Sequence, residues 1–223
     1  MSTTLGPETE ALATNAISTK PLQGRSLASY ERMLDATKAL MLERGSEDFT
    51  LQDVSDLGAV SIGSIYLRFQ SKDRLLHAVI ARELEDVIAT EEAMVAEVLQ
   101  DQQDLRTFLT RFIDRYSRNL EEHARILRAI MQRASVDPAV SGPGKETARR
   151  SMTMAVDAIL QFKDEIAGSD PREKAHAVMQ IVFATIARQF GLGSTPESGD
   201  EDVWEVMQKE LAKMAYAYLR YAE

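Results

Sequence analysis

Residues 50–76 restrict the fold of this chain more than any other stretch, because two short helical patterns flank a tight turn. Thr50 is followed three residues later by Asp53, which is typical of a helix start where side chains satisfy the first backbone N–H groups. Gly58 interrupts this helix, and Ser61 can cap a second one. The pattern predicts a helix-turn-helix, a motif whose second helix commonly enters the major groove of DNA.

The segment Ala59–Leu75 reads Ala-Val-Ser-x-Gly-x-x-Tyr-x-x-Phe-x-x-Lys-x-x-Leu and resembles the DNA-binding domain of the TetR family of bacterial transcription repressors. The helical pattern that begins near Tyr30 resembles the first helix of that family. The resemblance covers about residues 25–80 of the 223. It implies an all-α fold with an N-terminal three-helix head, which contains the helix-turn-helix, and a larger C-terminal helical bundle that dimerises through the last two helices.

Two positions depart from the family pattern. The family usually has Ala-Gly before Val-Ser, whereas this chain has Gly58 followed by Ala59. If Ala59 adopts a positive φ, we expect roughly 1 kcal/mol of backbone strain, and otherwise the turn shifts by one residue. The family also often has Lys or Arg where Ile62 stands, so this chain lacks one potential phosphate or guanine contact.

The second helix of the motif has side chains that suit base edges. Serine hydroxyls can bond to several bases, Ile62 can contact a thymine methyl group, and Gly63 allows a close approach to the groove. We expect base contacts from Ser61, Ile62, Gly63, Ser64 and Arg68, a minor-groove or phosphate contact from Arg25, and, by the resemblance, phosphate contacts from Thr50, Tyr66 and Lys72.

The charge of the chain constrains how it can bind DNA. The formal net charge is -9 and the pI is near 5.0, whereas phosphate contacts require Lys and Arg. Basic and acidic residues balance between Lys20 and Ile80, so most of the acidity lies in the C-terminal part. A neutral head predicts modest non-specific affinity. One reading helix also covers only a few base pairs, so we expect a homodimer on a palindromic double-stranded operator.

Composition excludes several other classes of protein. The chain has no cysteine, which excludes disulfides and thiolate metal sites. No apolar run approaches the roughly 20 residues that span a bilayer, and the N-terminus has no secretory signal pattern. We therefore expect a cytoplasmic protein with no membrane partner. The histidines His77, His123 and His176 are isolated from one another, so we expect no metal, no cofactor and no enzymatic activity.

The chain divides into three predicted regions. Residues 1–24 lack periodicity and predict a disordered arm, residues 25–72 form the DNA-binding domain, and residues 73–223 form the ligand-binding and dimerisation domain. A helix from Lys72 to about Thr90 joins the two domains. Its acidic residues predict a solvated connector, and they are Glu83, Glu85, Asp86, Glu91 and Glu92.

The rest of the chain is predicted to be helical. An apolar stripe starts at Leu105 and continues to Met131 after a bend near His123, and Asp137–Pro138 and 141–144 are loop material. Another helix spans 145–166. Asp170 caps the next helix, and Ser198–Glu201 forms a capping box for the last one.

The apolar residues of these helices suggest two surfaces. We expect a small, largely apolar effector, whose identity the sequence does not give, to bind a pocket lined by Phe108, Phe112, Tyr116, Met131, Met152, Val156 and Phe183. We expect the last two helices to form a four-helix dimer interface through Ile181, Ile186, Trp204, Met207, Leu211 and Tyr218.

The resulting hypothesis is a sequence-specific repressor that leaves its operator when the effector binds the C-terminal domain. Two alternatives remain open at this point. One is a helical dimer that binds ligand without using DNA, and the other is a regulator that acts as an activator.

Overall fold

The computed structural model describes residues 6–18, 24–100, 104–192 and 201–222, and all regular structure in these ranges is helical. The elements are α1 (Pro7–Ala16), α2 (Arg25–Arg44), α3 (Leu51–Gly58), α4 (Ile62–Arg68), α5 (Lys72–Gln100), α6 (Leu105–Ala134), α7 (Pro138–Ile159), a 3-10 helix (Leu160–Glu165), α8 (Pro171–Gln189) and α9 (Glu201–Arg220). The all-α prediction is confirmed. Within these ranges, no helix is both long and apolar enough to cross a membrane.

The chain forms two compact units. Unit 1 consists of Met1–Asp86 and Arg125–Thr147, and unit 2 consists of Val87–Ala124 and Ala148–Glu223. Helices α5, α6 and α7 each contribute residues to both units. This division differs from the predicted one, which places a single domain boundary after residue 72. The reason is that the long helices α5, α6 and α7 are each divided between the two units.

Unit 1 contains the predicted three-helix head. Helix α2 ends at Gly45, which has the left-handed conformation expected of a C-cap glycine. The side chains of Met33, Val54, Ile65 and Phe69 are fully buried in one apolar core. Helix-period apolar residues and local caps therefore specify the head, as the sequence predicts.

The prediction of a disordered arm over residues 1–24 is wrong for α1. The backbone N–H groups of Glu8 and Thr9 donate to the carboxylate of Glu146 at 3.0 and 3.1 Å. This carboxylate satisfies the first turn of α1, where the backbone lacks partners within its own helix. It lies 138 residues away in sequence from Glu8, so no local pattern could have indicated it.

The predicted loop at 141–144 is also wrong. Helix α7 begins at Pro138, a position that tolerates proline, and continues through Gly142 and Gly144. Gly142 lies so close to Glu8 that an added Cβ would be 2.1 Å from its carboxylate oxygen. Packing against α1 thus favours helix in a segment whose Gly and Pro content disfavours it. The predicted helix over 145–166 also ends early, because α7 stops at Ile159 and a 3-10 helix follows.

Helix α5 is only in part the predicted solvated connector. It extends to Gln100, and its residues Glu83 and Glu91 are buried. In unit 1, Glu83 forms an ion pair with Lys38 at 2.6 Å and with Arg82 at 3.3 Å. Lys38 is distant from Glu83 in sequence, so a local charge pattern does not indicate that partner.

The sequence predictions for the helices of unit 2 are confirmed in part. Helix α6 continues through His123 without interruption, and the ring of His123 is 3.0 Å from the Thr90 hydroxyl. Asp170 caps α8 as predicted, because its side chain accepts a hydrogen bond from the Glu173 N–H at 2.9 Å. The predicted capping box at Ser198–Glu201 lies outside the residues whose side chains are described.

Candidate DNA-binding surface

The two helices of the motif begin with the predicted side-chain caps. Thr50 Oγ1 accepts a hydrogen bond from the Asp53 N–H at 3.1 Å, and the Thr50 N–H donates to the Asp53 carboxylate at 2.7 Å. This hydrogen bond from the Thr50 backbone lowers the pKa of Asp53. Ser61 Oγ accepts from the Ser64 N–H at 3.1 Å and starts α4. Local hydrogen bonds thus fix where each helix of the motif begins.

The turn between α3 and α4 shows how the chain accommodates its Gly58-Ala59 order. Ala59 has φ 49° and ψ 47°, the left-handed conformation that alanine adopts at a cost of roughly 1 kcal/mol. Gly58 ends α3, and a Cβ at this position would be 3.0 Å from the Arg32 carbonyl oxygen and 3.3 Å from Ala36 Cβ. The glycine therefore permits close packing on α2, and the alanine carries the strained conformation.

The outer face of α4 is exposed. Gly63, Tyr66 and Leu67 are exposed, and Ser64 is half-buried. A Cβ at Gly63 would meet no atom within 4 Å, so the surface around it is open. Ile62 is half-buried because its side chain packs on the core of unit 1. This face is available to the major groove, as the sequence predicts for a reading helix.

The prediction that Arg68 points outward is wrong. Its side chain is only 7% exposed, and one guanidinium nitrogen donates to the Ser26 carbonyl at 3.0 Å and lies 2.9 Å from the Ser26 hydroxyl. Successive helical residues are about 100° apart, so Arg68 lies only roughly 60° from the buried Ile65. The helical period therefore contained the signal that places Arg68 on the buried side.

Leu67 is an exposed residue that the sequence reasoning missed. The same angle of about 100° per residue places it roughly 160° from both Ile65 and Phe69, the buried residues of the motif. Its side chain is 65% exposed and that of Tyr66 is 58% exposed. The two side chains extend the outer face of α4 beyond the predicted set of DNA contacts.

The remaining predicted DNA contacts lie at helix starts. Thr50 and Arg25 are exposed at the beginnings of α3 and α2. Lys72 is half-buried at the start of α5, where its ammonium group donates to the Glu47 carbonyl and lies 4.3 Å from the centroid of the Phe49 ring. The ammonium has three N–H donors, so a phosphate can accept one that the Glu47 carbonyl does not use.

Comparison with known families decides the identity of this domain. Residues 33–79 match the model of the bacterial regulatory proteins of the tetR family. Over these residues, the N-terminal domain of the chain is similar to that of the tetR family. The match includes α3, α4 and the turn between them, so the exposed face of α4 lies within the segment that resembles the family's DNA-binding domain. No curated protein sequence matches the chain.

Solved structures share the TetR-type fold over most of the chain. A structure assigned to the TetR family from Mesorhizobium loti MAFF303099 has 15% identity and a TM-score of 0.73, and the alignment covers 87% of this chain and 98% of that one. GusR from Salmonella enterica has 18% identity and a TM-score of 0.64, with 91% and 100% covered. A TetR regulator from Haloarcula marismortui has 17% identity and a TM-score of 0.61, with 86% and 96% covered. At these identities the likeness shows the fold alone.

The residues predicted to line an effector pocket do not share one environment. In unit 2, the rings of Phe108, Phe112 and Tyr116 stack in sequence, with centroid distances of 5.3 and 5.6 Å. Val156 is buried and Met152 is half-buried, whereas Met131 and Phe183 are exposed. Met131 also belongs to unit 1, so only residues of unit 2 are retained for the effector site.

A buried acid lies beside this aromatic stack. Glu91 is 3% exposed and accepts a hydrogen bond from the Ser151 hydroxyl at 2.9 Å. Burial raises the pKa of Glu91 to about 7, although the Ser151 hydrogen bond opposes the shift. Burial and the nearby Glu91 carboxylate also raise the pKa of Tyr116. Unit 2 therefore contains in its interior an acid, Glu91, that the sequence predicts to be solvated.

An open groove of about 1090 Å³ lies elsewhere in unit 2. Its lining contains none of the predicted effector residues, and most of its lining residues are charged or polar. Trp204 packs edge-on against Phe190 at this groove, with ring centroids 5.8 Å apart. Charged residues of α6, such as Arg111 and Asp114, line the same groove. Its chemistry differs from that of the apolar pocket expected from the sequence.

The predicted dimer residues fall into two groups. Ile186 and Leu211 are buried within the described chain, Trp204 is half-buried, and Ile181, Met207 and Tyr218 are exposed. Other large apolar residues are exposed on the same two helices, namely Phe183, Val203, Val206 and Met214. The last two helices thus present an apolar surface made partly of residues outside the predicted set.

Proposed function

We propose that the protein is a homodimeric transcriptional regulator that binds a palindromic operator through two copies of α4. The exposed outer face of α4, within a domain that matches the TetR family, is the observation that carries this proposal. The proposed phosphate contacts are Arg25, Thr50, Tyr66 and Lys72, and Arg68 is not among the contacts because it is buried. The protein acts in the cytoplasm and has no enzymatic role.

The exposed apolar surface of α8 and α9 supports the proposed dimer. Large apolar residues exposed together on a surface commonly mark an interaction site, and a two-fold interface uses the same patch on both subunits. We propose that Ile181, Met207 and Tyr218 lie in this interface. Pairing supplies the second reading helix that a palindromic site requires.

Effector binding is proposed for the interior of unit 2. The stacked aromatic rings of Phe108, Phe112 and Tyr116 favour a largely apolar ligand, and Glu91 adds a polar group near them. A ligand that binds one arrangement of the protein more tightly shifts the population toward it. The proposed outcome is release of the operator, so the regulator acts as a repressor.

Selection of bound sequences from random duplex DNA with the full-length protein tests the DNA-binding proposal. Recovery of inverted repeats is the expected result, together with affinity that falls steeply with salt concentration. Failure to enrich any sequence would contradict it and would favour a helical protein that binds ligand without DNA. Light scattering of the free protein measures the mass, and a mass of one chain at operator-binding concentrations would contradict the dimer.

Release by an effector needs a separate test. Compounds that raise the melting temperature of the protein in a screen of small apolar molecules are added to the complex with the selected operator. A repressor of the proposed kind loses DNA affinity when such a compound binds. If every stabilising compound leaves operator affinity unchanged, the effector part of the proposal is contradicted, while the DNA-binding part stands.

A further inference from the structure

The outer face of α4 carries no positive charge. Helix α4 spans Ile62–Arg68, all of which the structure describes, and its single cationic residue is Arg68. That side chain is buried and bonded to Ser26. The commonest specific contact in the major groove is Arg or Lys bonded to guanine. In this arrangement, α4 has no side chain that can make this contact.

The serine hydroxyls at the start of α4 already have partners. Ser61 Oγ and Ser64 Oγ are 2.7 Å apart and share a hydrogen bond, and Ser61 Oγ also accepts from the Ser64 N–H. A base edge would compete with these bonds, because Ser61 serves as the cap of the helix. The hydroxyls therefore offer fewer free donors and acceptors than their number suggests.

Apolar side chains dominate what remains of this face. Leu67 and Tyr66 are its most exposed large side chains, and Leu67 lies opposite the buried residues of the helix. Exposure of a leucine contributes nothing to the packing of the head. In the major groove, an apolar side chain can contact one group, the C5-methyl of thymine, which the other bases lack.

We propose that Leu67 determines operator specificity by contacting thymine C5-methyl groups in the major groove. This inference rests on the proposed function, because it requires that α4 enters the groove. It assigns base recognition to an apolar contact at Leu67 in place of the base contact that the sequence predicts for Arg68. It also predicts operator half-sites in which particular thymines cannot be replaced.

Deoxyuridine substitution tests the contact because uracil differs from thymine only by the missing methyl group. Each thymine of a selected operator duplex is replaced singly, and affinity is measured by fluorescence anisotropy with the full-length protein. We expect at least one position in each half-site where wild-type affinity falls about fourfold, the value for one apolar methyl group. The Leu67→Ala (L67A) variant should bind thymine and uracil duplexes equally at that position.

A matched control separates the contact from general effects on the protein. Val136 is exposed outside the helix-turn-helix, in the connection between α6 and α7, so Val136→Ala should retain the full difference between thymine and uracil. If the operator binds specifically and every thymine tolerates uracil, the inference is wrong and the proposed function stands. The inference is also wrong if Leu67→Ala keeps the wild-type sensitivity. Absence of any specific DNA binding would instead contradict the proposed function itself.

Discussion

Two buried glutamates on α5 show how the two units differ. Glu83 in unit 1 is paired with Lys38 and Arg82, at 2.6 and 3.3 Å. Glu91 in unit 2 accepts a hydrogen bond from the neutral Ser151 hydroxyl, and no ion pair involves it in the part of the chain that the structure describes. Burying a charge is costly unless it is paired. The buried acid of unit 1 therefore has cationic partners that offset its burial, whereas unit 2 retains an acid whose ionisation opposes folding.

The largest expected effect comes from removing the unpaired acid. Glu91 has an ordinary pKa of 4.5, and its pKa in the folded protein is about 7. Folding favours the protonated form of Glu91, so the protein keeps its full stability below pH 4.5. Part of the free energy of unfolding is lost as the pH rises through about 7. Glu91→Gln should raise the free energy of unfolding at pH 8 by about 2 to 3 kcal/mol, and the gain should shrink as the pH falls and vanish below about pH 4.

Urea unfolding of the wild type and Glu91→Gln at a series of pH values measures this difference. Glu121→Gln, at an exposed position of α6, serves as the control and should differ little from the wild type at any pH. A Glu91→Gln variant that is less stable than the wild type at pH 8 would mean that the ionised carboxylate contributes to folding. The contrast between the two glutamates would then be wrong.

Substitution of Gly58, in the head, should have the next largest effect on the free energy of unfolding. In Gly58→Ala the new Cβ would be 3.0 Å from a backbone oxygen of α2, and backbone cannot yield as a flexible side chain does. We expect a loss of about 2 kcal/mol in the free energy of unfolding. Urea unfolding measures it, and a variant as stable as the wild type would show that α2 and α3 do not pack as closely as described.

The paired acid should respond in the opposite direction from Glu91. Glu83→Gln leaves Lys38 and Arg82 without their buried anion, and the expected loss is about 1 to 2 kcal/mol. Lys38 is partly exposed, so solvent offsets some of the cost. The same urea titrations at pH 8 compare the two variants, and equal signs for Glu83→Gln and Glu91→Gln would remove the distinction between the units.

The smallest expected effect is a gain at the turn. Ala59 has a positive φ, so Ala59→Gly should relieve strain and raise the free energy of unfolding by up to about 1 kcal/mol. Glycine also has more conformational freedom in the unfolded chain, which reduces the gain. Urea unfolding of Ala59→Gly, alongside Gly58→Ala, measures this gain. If Ala59→Gly is less stable than the wild type, the residue with the left-handed conformation is elsewhere in the turn.

The sequence predicts the head well because its signals are local. Each helix cap lies within a few residues of the helix end that it stabilises, so spacing alone identifies it. These caps are Gly45 for α2, Thr50 with Asp53 for α3, and Ser61 for α4. The errors share the opposite property. Helix α1 depends on Glu146, the burial of Glu83 depends on Lys38, and that of Glu91 is linked to Ser151. In each case the partner is distant in sequence, so a single amino-acid sequence does not indicate it.

The candidate DNA-binding site divides in the same way. Spacing identifies α4 and its exposed start, which follow from the cap and the turn. It misassigns Arg68 and omits Leu67, because residue type was given more weight than angular position around the helix. By residue type, an arginine suggests a contact with phosphate or guanine and a leucine suggests a place in the core. The helical period instead places Arg68 on the buried side of α4 and Leu67 on the exposed side.

The central claim is that two copies of α4 read one duplex together. The direct test is an anisotropy titration of the full-length protein on a selected inverted repeat and on the same duplex with one half-site scrambled. Loss of half the base contacts should reduce the affinity on the order of 100-fold, because each mismatched pair commonly costs about 1 to 3 kcal/mol. Equal affinity for the two duplexes would contradict paired recognition by α4.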